Sequence, residues 1–196
     1  MEDYTDWLHN YILGRQSSEP VLAGHSLGSA VAQSYALKYP QEIKGLILIG
    51  AGARLRVAPQ ILSLIRDGIE NPSAWAQSFV DSSLNQVAPG LREEMAEEMA
   101  QVGPAVMLND MLCCDKFDIM DKVEQIQIPT LIICGGEDMM TPPKYSSYLA
   151  NKIKGAKLLV LDGGTHLVFA EKPGLVNQAI QQFLTQLYQA NNGKRG

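Results

Sequence analysis

Apolar residues recur along this chain at two different periods. Tyr4, Trp7, Leu8, Tyr11 and Ile12 fall at helical spacing, which predicts a short amphipathic helix ending at Gly14. A turn over 17–20 then leads to Val21-Leu22-Ala23, an apolar run without polar alternation. Such a run suits a parallel strand buried on both faces. Leu27 to Tyr39 reads as a helix closed by Pro40, and Leu46-Ile47-Leu48-Ile49 as a second buried strand ending at Gly50-Ala51-Gly52.

From about Arg54 to Val123 the texture changes. Four helical stretches are expected, around Ile61, Leu62, Leu64 and Ile65, then Trp75–Val80, Arg92–Met99 and Val106–Leu112, with no strand candidate between them. Glu93, Glu94, Glu97 and Glu98 mark the wet face of the third. The strand–helix rhythm then resumes. Thr130–Cys134 and Lys157–Leu161 read as strands, Pro142–Ile153 and Pro173–Gln189 as helices, the last with Leu175, Val176, Ile180, Phe183, Leu184 and Leu187 on one face. Strands alternating with helices imply an α/β fold, a parallel sheet flanked by helices. The expected organisation is a core made of 1–53 and 124–196, interrupted by an all-helical segment, 54–123.

Composition narrows the function classes. The chain has 196 residues, 46% hydrophobic and 19% charged, the balance of an ordinary globular domain. A net charge of −5 carries no basic footprint for nucleic acid. Lys194-Arg195 forms the only basic cluster and reads as a solvated tail. No run approaches the ~20 apolar residues of a membrane span. The acidic start Met1-Glu2-Asp3-Tyr4 lacks a signal pattern, so a cytoplasmic location is the default. Cys113, Cys114 and Cys134, an odd number with two adjacent, do not suggest a disulfide framework. No Cys or His cluster has metal-ligand spacing, and neither a metal nor an organic cofactor is implied.

The candidate chemistry begins at Gly24-His25-Ser26-Leu27-Gly28. Gly-x-Ser-x-Gly alone is a weak signal, but here a buried strand precedes it and a helix follows at once. That is the setting of a nucleophile elbow, a turn sharp enough to strain the serine backbone. The flanking glycines are expected to remove side chains that would clash across the turn. A serine hydroxyl needs a general base, and the base needs an orienting acid. The chain holds three histidines. His9 belongs to the first helix, on its exposed side. The side chain of His25 should point away from that of Ser26. His166, in Asp162-Gly163-Gly164-Thr165-His166, follows the last strand, where an open α/β sheet puts its site, and is the candidate base. For the acid, Gly135-Gly136-Glu137-Asp138 follows another strand, with Asp138 preferred to Glu137. Asp162 lies too close to its strand to swing back. The order Ser…Asp…His is that of α/β-hydrolase triads.

Together with Thr141-Pro142-Pro143, Gly164-Thr165-His166 and the helix start Glu171-Lys172-Pro173, these runs resemble the second half of the bacterial esterase-like branch of the α/β-hydrolase superfamily. The resemblance covers nearly the whole chain. It is specific for the superfamily and the triad, and nonspecific for substrate. It implies that Arg54–Val123 is a helical cap. Methionines 95, 99, 107, 111 and 120 then either line a plastic acyl pocket or pack the cap core. Trp75 and Phe79 carry the same two readings. The substrate-contact candidates are His25, Trp75, Met107 and Met111.

Family members carry several strands before the nucleophile strand, whereas here one helix precedes it. The resemblance therefore implies a truncated α/β-hydrolase fold without the loop, often His-Gly, that donates one oxyanion-hole amide. The N–H of Leu27 is the other donor. Removing one such donor costs about 100- to 1000-fold in rate. Val21–Ala23 becomes a sheet edge, and a homo-oligomer through that strand is one way to cover it. The leading expectation is a serine hydrolase cleaving a small carboxylic ester or related acyl compound through an acyl-enzyme, its partner a small-molecule acyl substrate rather than nucleic acid or membrane. Acyl transfer or perhydrolysis on the same triad, and a catalytically weak binding or assembly subunit, are the alternatives.

Overall fold

A computed structural model describes residues 1–15, 20–84 and 87–192. The turn expected over 17–20 and the basic tail at Lys194-Arg195 fall largely or wholly outside the described residues. The elements resolve into two compact units, one made of Met1–Arg54 and Ile119–Gly196, the other of Leu55–Asp118.

The first unit carries all four described strands: β1 (Val21–His25), β2 (Gly45–Ile49), β3 (Thr130–Gly135) and β4 (Lys157–Leu161). They lie in the order β1-β2-β3-β4, every neighbouring pair parallel, with Leu22 opposite Leu46, Ile47 opposite Leu131 and Ile133 opposite Leu159. The two inner strands are buried along their whole length, which is why Leu46–Ile49 and Leu131–Cys134 are unbroken apolar runs. β4 lies at an edge and shows Leu158 and Val160 to solvent.

Helices separate the strands. α1 (Glu2–Leu13) precedes β1, α2 (Leu27–Lys38) joins β1 to β2, and α7 (Pro143–Lys152) joins β3 to β4. A short α8 (Val168–Glu171) and a long α9 (Pro173–Asn192) follow β4. Alternation along the strands divides the core between two faces. Ile47, Ile49, Leu131, Ile133 and Leu161 pack with Val176, Phe183 and Leu187 of α9. The alternate residues, Leu46, Leu48 and Ile132, are equally buried, and α2 and α7 pack against the sheet as well. Eleven such side chains at about 1.5–3 kcal/mol each make this sheet core a large hydrophobic contribution to the scaffold that carries the site.

His9 is not on an exposed face, contrary to the sequence expectation. Its ring stacks on Tyr39 at 3.8 Å between centroids, and its Nδ1 lies 3.0 Å from Glu42 Oε2. Tyr35, fully buried, donates its hydroxyl to the same Glu42 oxygen at 2.6 Å. Lys38 reaches Asp6 of α1 at 2.5 Å. Asp6 and His9 of α1 thus meet α2 and the loop after it.

The second unit is helical: α3 (Pro59–Asp67), α4 (Pro72–Ser83), α5 (Pro89–Val102) and α6 (Pro104–Lys116). Each opens with proline at its first position, where the missing N–H has no intrahelical partner to lose. Its interior includes Ile65, Trp75, Phe79, Val80 and Met99. A Cβ on Gly68 would sit 2.2 Å from the Trp75 ring, so this glycine is what lets the indole approach the backbone. Met120, expected within the helical segment, belongs to the strand-bearing unit.

Candidate active site

β1 runs directly into α2 with one residue between them. That residue, Ser26, has φ 51° and ψ −116°, and is the only non-glycine residue with positive φ among those described. Such a backbone costs of order 1–3 kcal/mol and persists only where its surroundings enforce it. The enforcement is visible. Ser26 N–H donates to Ile49 O at 3.0 Å, tying the turn to β2, while Ser26 O accepts from Ser29 N–H at 2.9 Å and from the Ser29 hydroxyl at 2.6 Å. A Cβ on Gly24 would lie 2.2 Å from Gly28 O, so residue 24 must be glycine for the turn to close. The expected steric need is one-sided: a Cβ on Gly28 would meet nothing within 4 Å. Leu27 N–H opens α2 and, like any first-turn donor, has no acceptor within its own helix.

The loops after β3 and β4 meet beside this turn. A Cβ on Gly135 would lie 2.3 Å from Gly164 O, so the two loops cross backbone on backbone. Gly136 N–H donates to Leu161 O and Glu137 N–H to Gly164 O, each at 2.8 Å. The crossing delivers Asp138 to His166. His166 Nδ1 lies 2.8 Å from Asp138 Oδ2, with both side chains buried. Glu137 and Asp162 are exposed.

Asp138 is heavily hydrogen-bonded. Its Oδ1 accepts from the N–H groups of Met140 and Thr141, both at 2.8 Å, and its Oδ2 accepts from the Thr141 hydroxyl at 2.7 Å. Burial pushes its carboxyl pKa up, but the His166 hydrogen bond and charge and the Thr141 bonds outweigh that and hold it below the usual carboxylate value. An ionised carboxylate only accepts, so Nδ1 of His166 carries a proton, and it is Nε2 whose lone pair is left in the neutral imidazole.

Gly50 and His25 flank His166, and Glu171 holds the residue before it. Gly50, at the end of β2 with φ 53°, leaves room for it: a Cβ there would lie 3.2 Å from His166 Cε1 and 3.4 Å from His25 Cδ2. The His25 ring lies 4.6 Å from that of His166 and 4.8 Å from Phe169, and His25 Nε2 donates to the backbone carbonyl of His166 at 2.8 Å. On the preceding residue, Thr165 N–H and Oγ1–H donate to the two oxygens of Glu171 at 2.7 and 2.5 Å.

Of the residues singled out in the sequence, the structure brings Asp138, His166 and His25 into direct contact. Ser26 follows His25, but its hydroxyl makes no hydrogen bond to His166. His25, expected to touch substrate, has its Nε2 engaged by protein backbone. Trp75 is buried inside the helical unit, where Met107 and Met111 are half-buried on α6. The roles of Gly50, Thr141 and Glu171 had no reading in the sequence. Thr141 could have been found, since a carboxylate that caps the amides two and three residues ahead is an ordinary Asx turn. Gly50 and Glu171 act across the fold and leave no local signal. Among the described residues no group of three or more His, Cys, Asp or Glu side chains is arranged to hold a metal ion, and no helix is long and apolar enough to cross a membrane.

Comparison with known proteins gives a consistent relationship. The sequence model of the family described as serine aminopeptidase, S33, matches residues 1–173. A pimeloyl-[acyl-carrier protein] methyl ester esterase of Neisseria meningitidis is 26% identical over 160 residues, covering 76% of this chain and 62% of that protein. A proline iminopeptidase of Pestalotiopsis fici is 27% identical over 186 residues, covering 84% of this chain and 66% of that protein. The chain thus spans less than two thirds of the length of these curated relatives. The solved structure of a thermophilic esterase superposes with a TM-score of 0.80 at 30% identity, covering 94% of this chain and 73% of that one. With its four parallel strands, its strained serine turn and its match over residues 1–173, the chain belongs to the serine aminopeptidase S33 family of the α/β-hydrolase superfamily.

Proposed function

We propose that this chain is a serine hydrolase that cleaves a small carboxylic ester or related acyl compound, with Ser26 as nucleophile, His166 as general base and Asp138 as the acid that orients it. The observation that carries this reading is the buried 2.8 Å hydrogen bond from His166 Nδ1 to Asp138, which leaves the Nε2 lone pair for a serine proton. An ester is favoured over other acyl compounds because one relative is named a methyl ester esterase and a similar solved structure is an esterase.

Ser26 Oγ attacks the carbonyl carbon while His166 Nε2 takes its proton. The imidazolium that forms is stabilised by ionised Asp138, whose capping by Met140 and Thr141 keeps it from taking the proton itself. Leu27 N–H, at the positive end of α2, donates to the oxyanion. His166 returns the proton to the leaving alcohol, and water, activated by the same imidazole, releases the acid from Ser26. The hydrogen bond from Ser26 to His166 forms with substrate present, as such bonds commonly tighten only in the complex.

A fluorophosphonate probe tests the proposal. It should label the chain on Ser26 and fail to label Ser26→Ala, and a short p-nitrophenyl ester should be turned over by the first and not the second. Absence of both labelling and turnover in the wild-type chain overturns it.

A further inference from the structure

His166 acts on Ser26 only if its Nε2 is held at one position, and a loop residue has few means of being held. Asp138 fixes one ring nitrogen, which leaves the ring free to swing with its backbone. Two contacts remove that freedom from opposite sides of the peptide. Glu171, in the last position of α8, receives both hydrogen-bond donors of Thr165, the residue just before His166. Both bonds end on the two oxygens of one carboxylate, an arrangement that fixes direction as well as distance. His25, in the last position of β1, donates to the carbonyl of His166 itself at 2.8 Å. A carbonyl accepts and cannot donate, so His25 carries a proton on Nε2. Its ring is packed between His166 and Phe169, which keeps that donor aimed.

We infer that Glu171 and His25 are positioning residues for the reaction proposed above: they clamp the backbone on either side of His166 and thereby set the approach of its Nε2 to Ser26. His25 does this from the residue adjacent to the nucleophile. A single rigid connection therefore runs from the turn that carries Ser26 to the loop that carries the base. Burial, and next the charge of His166, push the His25 pKa down to about 4, so the donor stays in its neutral form through the neutral range. Neither residue needs to touch substrate.

The inference rests on the triad reading, and the test separates the two. Four variants of the full chain are compared: Glu171→Ala, Glu171→Gln, His25→Phe and Ser26→Ala. Glu171→Ala removes both acceptors. Glu171→Gln restores both bonds, its carbonyl accepting from Thr165 N–H and its amide donating to Thr165 Oγ1. His25→Phe keeps a ring against Phe169 and loses the donor. Displacing a catalytic group by about 1 Å costs on the order of 100-fold. Glu171→Ala and His25→Phe should therefore lose about 10- to 100-fold in kcat with KM little changed, and Glu171→Gln should stay within about threefold of wild type. Ester turnover and fluorophosphonate labelling read these values, and circular dichroism melting confirms that the variants fold.

A second readout does not depend on activity. The downfield proton of His166 Nδ1–H, seen by NMR, should shift or broaden in Glu171→Ala and His25→Phe and return in Glu171→Gln. If wild-type chain neither labels nor turns over ester, the triad reading fails and the NMR arm alone decides the clamp. Wild-type kcat in both disrupting variants overturns the inference, and so does an unmoved His166 proton in both. Equal losses in Glu171→Gln and Glu171→Ala overturn the part assigned to Glu171.

Discussion

Gly50→Ala is the sharpest test of how the imidazole is seated. Gly50 has φ 53°, so an alanine there pays for the left-handed conformation, about 1–2 kcal/mol. Its Cβ would also lie 3.2 Å from Cε1 and 3.3 Å from Nδ1 of His166, and 3.4 Å from His25 Cδ2. Carbon atoms pack best at about 3.5–4.0 Å, so the His166 ring must retreat by a few tenths of an ångström. It retreats against the 2.8 Å bond to Asp138. Gly155 supplies the control: its φ is 75°, and a Cβ there would meet nothing within 4 Å. Gly155→Ala therefore carries the backbone strain without the contact. Both variants should melt about 3–6 °C below wild type, from ~1.5 kcal/mol at ~2–4 °C per kcal/mol. Only Gly50→Ala should also lose activity, by about 3- to 10-fold, scaled down from ~100-fold for a 1 Å displacement. Thermal melts and the rate of fluorophosphonate labelling measure the two effects. Equal melting losses with equal, undiminished labelling would show that Gly50 serves only the turn, and would refute the seating argument.

Other outcomes follow from the same contacts. Asp138→Asn should lower kcat by about 10,000-fold while the chain still melts cooperatively, because the amide favours the wrong imidazole tautomer; ester kinetics beside a melt would check it. Gly24→Ala places a Cβ 2.2 Å from Gly28 O, backbone on which nothing can rotate away, so it should cost more than the ~1–3 kcal/mol typical of overpacking and leave little soluble chain. His25 has a folded pKa of about 4 against 6.5 for the free side chain. A depressed pKa contributes stability that is complete above pH ~6.5 and is lost as pH falls toward 4, about 3 kcal/mol in all. Urea melts at pH 7.5 and 4.0 should show this loss in wild type, and His25→Phe should lose correspondingly less.

The parts legible in the sequence are those with a local signal. Parallel strands buried on both faces must be apolar throughout, so Leu46–Ile49 and Leu131–Cys134 announced themselves, and each proved buried from end to end. The four helical stretches between 54 and 123 were legible for a similar reason: each has apolar spacing and sits behind a proline. The structure extends each of them back to that proline, at Pro59, Pro72, Pro89 and Pro104. α8 was missed because four residues hold barely one turn and no period can show in them. His9 was misjudged because apolar spacing does not mark the packed face of α1: its Tyr4, Trp7 and Tyr11 are exposed, and its polar side packs on α2 and the following loop through Tyr35, Tyr39 and Glu42.

The site divides along the same line. Ser26, Asp138 and His166, the proposed nucleophile, acid and base, stand at strand ends in sequence order, and that order is a local property of three loops. What holds them in register is not local. Gly24 faces Gly28, Gly135 faces Gly164, and Gly50 faces His166; the last two pairs are separated by β-strands and helices that the sequence must first fold. A glycine in a sequence announces only freedom, and its necessity depends on which backbone arrives opposite it. The same holds for Glu171 and His25, ordinary in their own segments and bound to the base loop only because β1, β4 and α8 converge there. A reading that stops at Ser26, Asp138 and His166 therefore names the proposed chemistry but not its tolerance. The tolerance of Nε2 for displacement is set by five residues that never meet substrate in this scheme: Gly50, Thr141, Thr165, Glu171 and His25. Substitutions at those positions should lower rate and stability together, whereas substitutions within the proposed triad should remove rate alone.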